Sequence, residues 1–147
     1  KVFTKAELDS RVEIEYETYA KEINIEAKAM IDIAAKQIIP AVIKYTTVLA
    51  QSINAVKSAC GADISAQTEI LTEVSDLLAD AQNALDKLKD VTEKASAMDE
   101  GREQAVYYRD TVKTAMDELR APVDKLEMLV DKSMWPMPSY GDLIFEV

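Results

Sequence analysis

Apolar residues recur every three or four positions along most of the chain, and only three glycines, Gly61, Gly101 and Gly141, interrupt the pattern. That spacing is the repeat of one face of an α-helix. Glycine stands most often just past a helix's C-terminal end, where positive φ closes the last turn without a Cβ clash. Pattern and punctuation together predict three long helical segments and a tail.

The first segment opens on Thr4-Lys5-Ala6-Glu7. This is a capping box: the threonine hydroxyl accepts from the Glu7 amide, and the glutamate carboxylate accepts from the Thr4 amide. Leu8, Val12, Tyr16, Tyr19, Ile23, Ala27, Met30, Ala34 and Ile38 then form an apolar seam. From Met30 to Ala50 apolar positions spread round most of the circumference, so this stretch is expected to be the most buried. Pro40 removes a backbone donor and crowds the preceding turn, which predicts a kink or break near Ile39 before the helix resumes to about Cys60.

The second segment, about Ser65 to Ala97, carries Ile70, Val74, Leu77, Ala81, Ala84, Leu88, Val91, Ala95 and Met98, and Leu71, Leu78 and Leu85 widen that seam. A two-stranded coiled coil needs only the narrow seam, so the wider one favours a bundle. The third segment, about Arg102 to Lys132, continues through Ala105, Tyr108, Val112, Ala115, Leu119, Val123, Leu126 and Val130, with Pro122 inside it as an expected kink or fresh first turn.

The expected fold is therefore all-α, a long antiparallel up-and-down bundle of three helices of ~30 residues or more, with the first kinked or broken at Pro40 and an extended C-terminal tail. A chain of 147 residues has the usual size of one domain. Residues 1–133 form the expected bundle and 134–147 the tail.

A net charge of −10 repels phosphate backbones and argues against nucleic acid as a partner. Lys, Gln, Thr or Asp breaks the longest apolar stretches before the ~20 residues of a membrane span, so no membrane partner is expected. One cysteine and no visible secretory signal favour a cytoplasmic location. A start on Lys1 and Val2 rather than Met suggests a processed protein or a piece of a longer one.

Histidine is absent, which disfavours Glu-x-x-His di-metal sites, most zinc sites and imidazole-based triads. Glu13, Glu15, Glu17, Glu22 and Glu26 could in principle hold Mg²⁺ or Ca²⁺; a solvated acidic face paired with Lys21 and Lys28 is the expected reading. Cys60 has no base nearby in sequence and reads as structural filler. Tyr16, Tyr19, Tyr45, Tyr107 and Tyr108 lie in helical register, as core or boundary residues. No catalytic, cofactor-binding or metal-ligating residue is assigned within this chain.

The tail is different in kind. Residues 134–145 gather Trp, Tyr, Phe and four other large apolar side chains, while Pro136 and Pro138 disfavour a helix and favour an extended path. Left exposed, such a segment invites aggregation. It is expected to dock on its own bundle, another domain or a neighbouring subunit, through Trp135, Pro136, Tyr140, Leu143 and Phe145.

Three segments carry a family resemblance. Lys1 to Ala29, KVFTKAELDSRVEIEYETYAKEINIEAKA, resembles the helix that follows the catalytic domain of the type III glutamine synthetases, the large bacterial branch of that ligase family. QIIPAVIKY, at Gln37 to Tyr45, resembles its Pro-containing continuation. LRAPVDKLEMLVDKSMWPMPSYGDLIF, at Leu119 to Phe145, is similar to the closing helix and WPxPxY-type tail. The resemblance implies a non-catalytic C-terminal helical domain. Its parent enzyme joins ammonia to glutamate with ATP and Mg²⁺ or Mn²⁺, all bound in an upstream catalytic domain, within a ring-based homo-oligomer. The implied partners are that catalytic domain and neighbouring subunits. On the residues alone, a free-standing helical adaptor whose tail serves as a peptide ligand stays open.

Overall fold

The computed structural model describes residues 2–138 and 140–145, at positions 140, 141 and 145 for the backbone alone. Four helices and no strand occur among the described residues. Helix α1 is Lys5–Cys60, 56 residues without interruption. Helix α2 is Ser65–Ser96, with 32 residues. Helix α3 covers residues 102–129, and α4 is Tyr140–Phe145. Two helices thus exceed thirty residues where three were expected, because α3, which starts at Arg102 as expected, stops at Leu129 short of Lys132.

The capping box forms. The Thr4 amide donates to Glu7 Oε2 at 2.7 Å, and the Glu7 amide donates to Thr4 Oγ1 at 3.3 Å. At the other end of α1, Gly61 takes φ 61° and ψ 25°, the left-handed conformation that closes a helix. Gly101 also has positive φ, 135°, but precedes α3 instead of ending α2.

Pro40 does not break α1. The turn just before it, Ala34–Ile38, is π-helical, and the Ile39 amide reaches back five residues to the Ala34 carbonyl. Widening the turn makes room for the pyrrolidine ring, and Pro40 sits in the first turn of the resumed α-helix, where a missing donor costs least. A second π-turn, Tyr108–Val112, lies in α3 with no proline near it. The α-helix Lys113–Leu129 also runs through Pro122 without ending.

By length and mean hydropathy, 1.2 over its most apolar stretch, α1 qualifies as a helix able to cross a membrane, contrary to expectation. The core helix of a bundle has the same length and apolar composition.

The chain divides into two compact units. The first comprises α1 up to Asp32 together with Ala84–Leu119. Its buried apolar residues are Ala20, Ile23 and Ala27 on α1, Leu85, Leu88, Val91 and Ala95 on α2, and Ala105, Tyr108, Val112, Ala115 and Leu119 on α3. Ala95 meets Gln104, Ser96 meets Tyr108 and Lys87 meets Glu118, so one residue number falls as the other rises and the two stretches run antiparallel. Tyr108 is the largest fully buried side chain, 1% exposed, and its hydroxyl lies 3.3 Å from Ser96 Oγ.

The second unit comprises Ile33–Asn83 and the chain from Arg120 onward. Its core joins Ile38 and Val42 of α1, Val74, Leu77 and Ala81 of α2, and Leu126 and Val130 after Pro122. The stretch from Met30 to Ala50 holds five buried residues, Ala34, Ile38, Ile39, Ala41 and Val42, yet Ile43 and Val48 face outward.

Candidate docking site at the C-terminal end

The final turn of α3 closes with the Val130 amide on the Leu126 carbonyl at 2.9 Å. Asp131 then turns the chain. Its carboxylate accepts from the Ser133 amide at 2.7 Å and from the Ser133 hydroxyl, while its carbonyl accepts from the amides of Met134 and Trp135 at 2.9 and 3.1 Å. The Ser133 hydroxyl and amide hold the Asp131 carboxyl below the usual carboxylate range. Asp and Ser two apart are strong turn formers, a signal the sequence carried and that periodicity alone overlooks.

This turn lays Met134 and Trp135 against the core of the second unit, the cluster that includes Ile38, Val42, Val74 and Leu126. Trp135 Nε1 is buried there with no hydrogen-bond partner among the described residues. Pro136 is exposed. The path is irregular from Trp135 to Pro138, with a bend at Met137, and residues 140–145 are helical as α4, so the tail is not extended throughout. Beyond Pro138 no further proline removes a donor, and a helical turn becomes available.

Lys132 Nζ binds Asp142 Oδ1 at 2.9 Å and ties α4 back to the end of α3. On α4, Leu143 and Ile144 are 68% and 65% exposed, and Met128 on the preceding helix is 84% exposed. The side chains of Tyr140 and Phe145, two of the five expected docking residues, lie outside the described residues. The segment therefore has an anchored half at Met134 and Trp135 and an outward apolar half at Leu143 and Ile144.

Elsewhere the polar side chains do structural work. Glu17 pairs with Lys21 on the surface of α1, and no group of three or more acidic or Cys side chains able to hold a metal occurs among the described residues. Cys60 is exposed and its thiol contacts the Val56 carbonyl at 3.7 Å, so it fills no core space. Tyr16, Tyr19, Tyr45 and Tyr107 are half-buried and Tyr108 fully buried, as their helical register implies.

A helical packing domain with an anchored and a presented tail segment is the class that these features define. Residues 1–57 match the family described as the glutamine synthetase C-terminal domain. The chain is 35% identical to a glutamine synthetase of Butyrivibrio fibrisolvens, over 99% of this chain and 21% of that protein. It is 27% identical to a glutamine synthetase of Bacteroides fragilis, over 99% and 21%, and 28% identical to a type-3 glutamine synthetase of Dictyostelium discoideum, over 98% and 20%. The chain thus spans about a fifth of the length of the curated relatives it matches. These matches place it with the C-terminal domains of the glutamine synthetases, one of the three relatives being a type-3 enzyme.

Proposed function

We propose that this domain serves assembly in a type III glutamine synthetase, whose preceding part joins ammonia to glutamate using ATP and Mg²⁺ or Mn²⁺. The observation that carries the reading is similarity over 98–99% of this chain in three relatives of about five times its length. The domain's helices act as a rigid support. Its tail, held to the bundle by Trp135, offers Leu143 and Ile144 to the catalytic part or to a neighbouring subunit of a ring-based, cytoplasmic homo-oligomer. A net charge of −10 supports protein partners over nucleic acid.

The test is removal of residues 134–147 from the full-length enzyme. Assembly, read by solution mass, or glutamine-forming turnover is expected to fall while far-ultraviolet circular dichroism shows the helices retained. Unchanged assembly and turnover would overturn the reading.

A further inference from the structure

We infer that the first turns of α1 form a second docking surface, and that its occupant is the folded polypeptide immediately N-terminal to Lys1 in the same chain. The inference rests on the functional reading above, which places a catalytic part upstream.

The apolar seam of α1 outruns its cover. Leu8, Val12 and Tyr16 continue, at four-residue steps, the face that carries Ala20, Ile23 and Ala27. Ala20, Ile23 and Ala27 are buried, whereas Leu8 and Val12 are 52% and 42% exposed. The cause is register. Ser96, the last residue of α2, hydrogen-bonds Asn24 at 3.4 Å, and the groove next to that contact is lined by Lys28, Ile31, Lys89 and Thr92. α2 therefore ends near Asn24. The turn at Glu100–Arg102 lines a groove with Leu8, Val12 and Tyr16 but does not cover them. Residues 5–15, about 16 Å of helix at 1.5 Å per residue, are therefore all exposed.

Two features select the occupant. The family match begins at residue 1 and is described as a C-terminal domain, and the relatives hold about four-fifths of their length outside the matched region. A domain joined just ahead of Val2 and Phe3, themselves exposed, is tethered a few residues from Leu8, at an effective concentration that a separate protein reaches only when abundant. The chemistry of the surface is apolar at Leu8 and Val12 with Asp9 and Glu13 lining the same groove, which suits an apolar patch rimmed by Lys or Arg.

The test uses the full-length protein and its Leu8→Glu/Val12→Glu variant, since Glu keeps helix propensity while placing charge on the seam. By hydrogen–deuterium exchange, the peptide spanning residues 8–16 is expected to exchange about tenfold faster in the variant, with the rest of α1 unchanged. Equal exchange in the two proteins would overturn the proposal. Lysine cross-linking on oligomers mixed from light- and heavy-isotope chains identifies the occupant: Lys5 joined to upstream residues of its own isotopic chain supports it, and Lys5 joined only to the other isotope assigns the stripe to a neighbouring copy and overturns it. Neither readout uses turnover. A full-length protein that makes no glutamine would therefore defeat the functional reading while leaving the docking result interpretable.

Discussion

Gln104 donates from Nε2 to the Ala95 carbonyl at 3.0 Å, and this buried contact closes the hairpin between α2 and α3. The same amide group lies 3.3 Å from the Met98 carbonyl. Ala95 lies in the last turn of α2, where carbonyls lack a partner within the helix, and Met98 lies in the turn that follows, so one side chain from the next helix serves a carbonyl of each. Gln104→Leu removes both bonds and leaves the Ala95 carbonyl with only the Met98 amide, at 3.3 Å. It is expected to lower stability by about 1–3 kcal/mol, read as a shift of the urea midpoint; a midpoint within error of wild type would show that water replaces the amide.

Thr92 presents the opposite case. It is 3% exposed, and its hydroxyl has no hydrogen-bond partner among the described residues. Valine has the same shape without the orphaned group, so Thr92→Val is expected to be neutral or to stabilise by up to about 1 kcal/mol in thermal denaturation. A clear loss would mean that the hydroxyl is bonded in solution.

The capping box makes a pH-dependent contribution whose sign follows from Glu7. Hydrogen bonds from the backbone and then the hydroxyl of Thr4 hold its carboxyl below the ordinary value of 4.5. A depressed folded value contributes stability above the unfolded value, and that contribution fades as pH falls through the lowered one. An NMR titration is expected to find the Glu7 midpoint under 4.5, and Thr4→Ala is expected to return it toward that value while costing about 1 kcal/mol of helix stability.

Trp135 is the single tryptophan, so its fluorescence reports on the second unit alone. Native emission is expected to be blue-shifted and to move red with denaturant in step with the loss of helix signal. Trp135→Ala is expected to cost roughly 2–3 kcal/mol, short of the figure for a fully buried aromatic because the ring is half-exposed. Trp135→Phe is expected to cost less, since it removes the orphaned Nε1–H along with part of the packing. Equal losses in both variants would contradict that assignment.

Tyr108 tests the core of the first unit. With 1% exposure it supports α3 from inside the π-turn, and Tyr108→Ala is expected to cost about 3–5 kcal/mol in chemical denaturation. Tyr108→Phe loses only the contact with Ser96 and is expected to cost about 1 kcal/mol.

By itself the sequence determined helix identity, the capping box at Thr4, the stop at Gly61 and most of the buried seam. Val74, Leu77, Ala81, Leu88, Val91 and Ala95 on α2, and Ala105, Tyr108, Val112, Ala115 and Leu119 on α3, are buried as their spacing implies. These features are legible because the 3.6-residue repeat and the cap bonds depend only on near neighbours along the chain. Only tertiary structure decided the rest. Periodicity identifies which face is apolar but not which part of it is covered: Leu8 and Ala27 share one seam, and the end of α2 near Asn24 leaves the first open and buries the second. The π-turn at Tyr108–Val112, passage of the helix through Pro122, and the turn that lays Trp135 on the second unit's core likewise depend on what packs against each segment. Such contacts join residues tens of positions apart, and no local spacing encodes them.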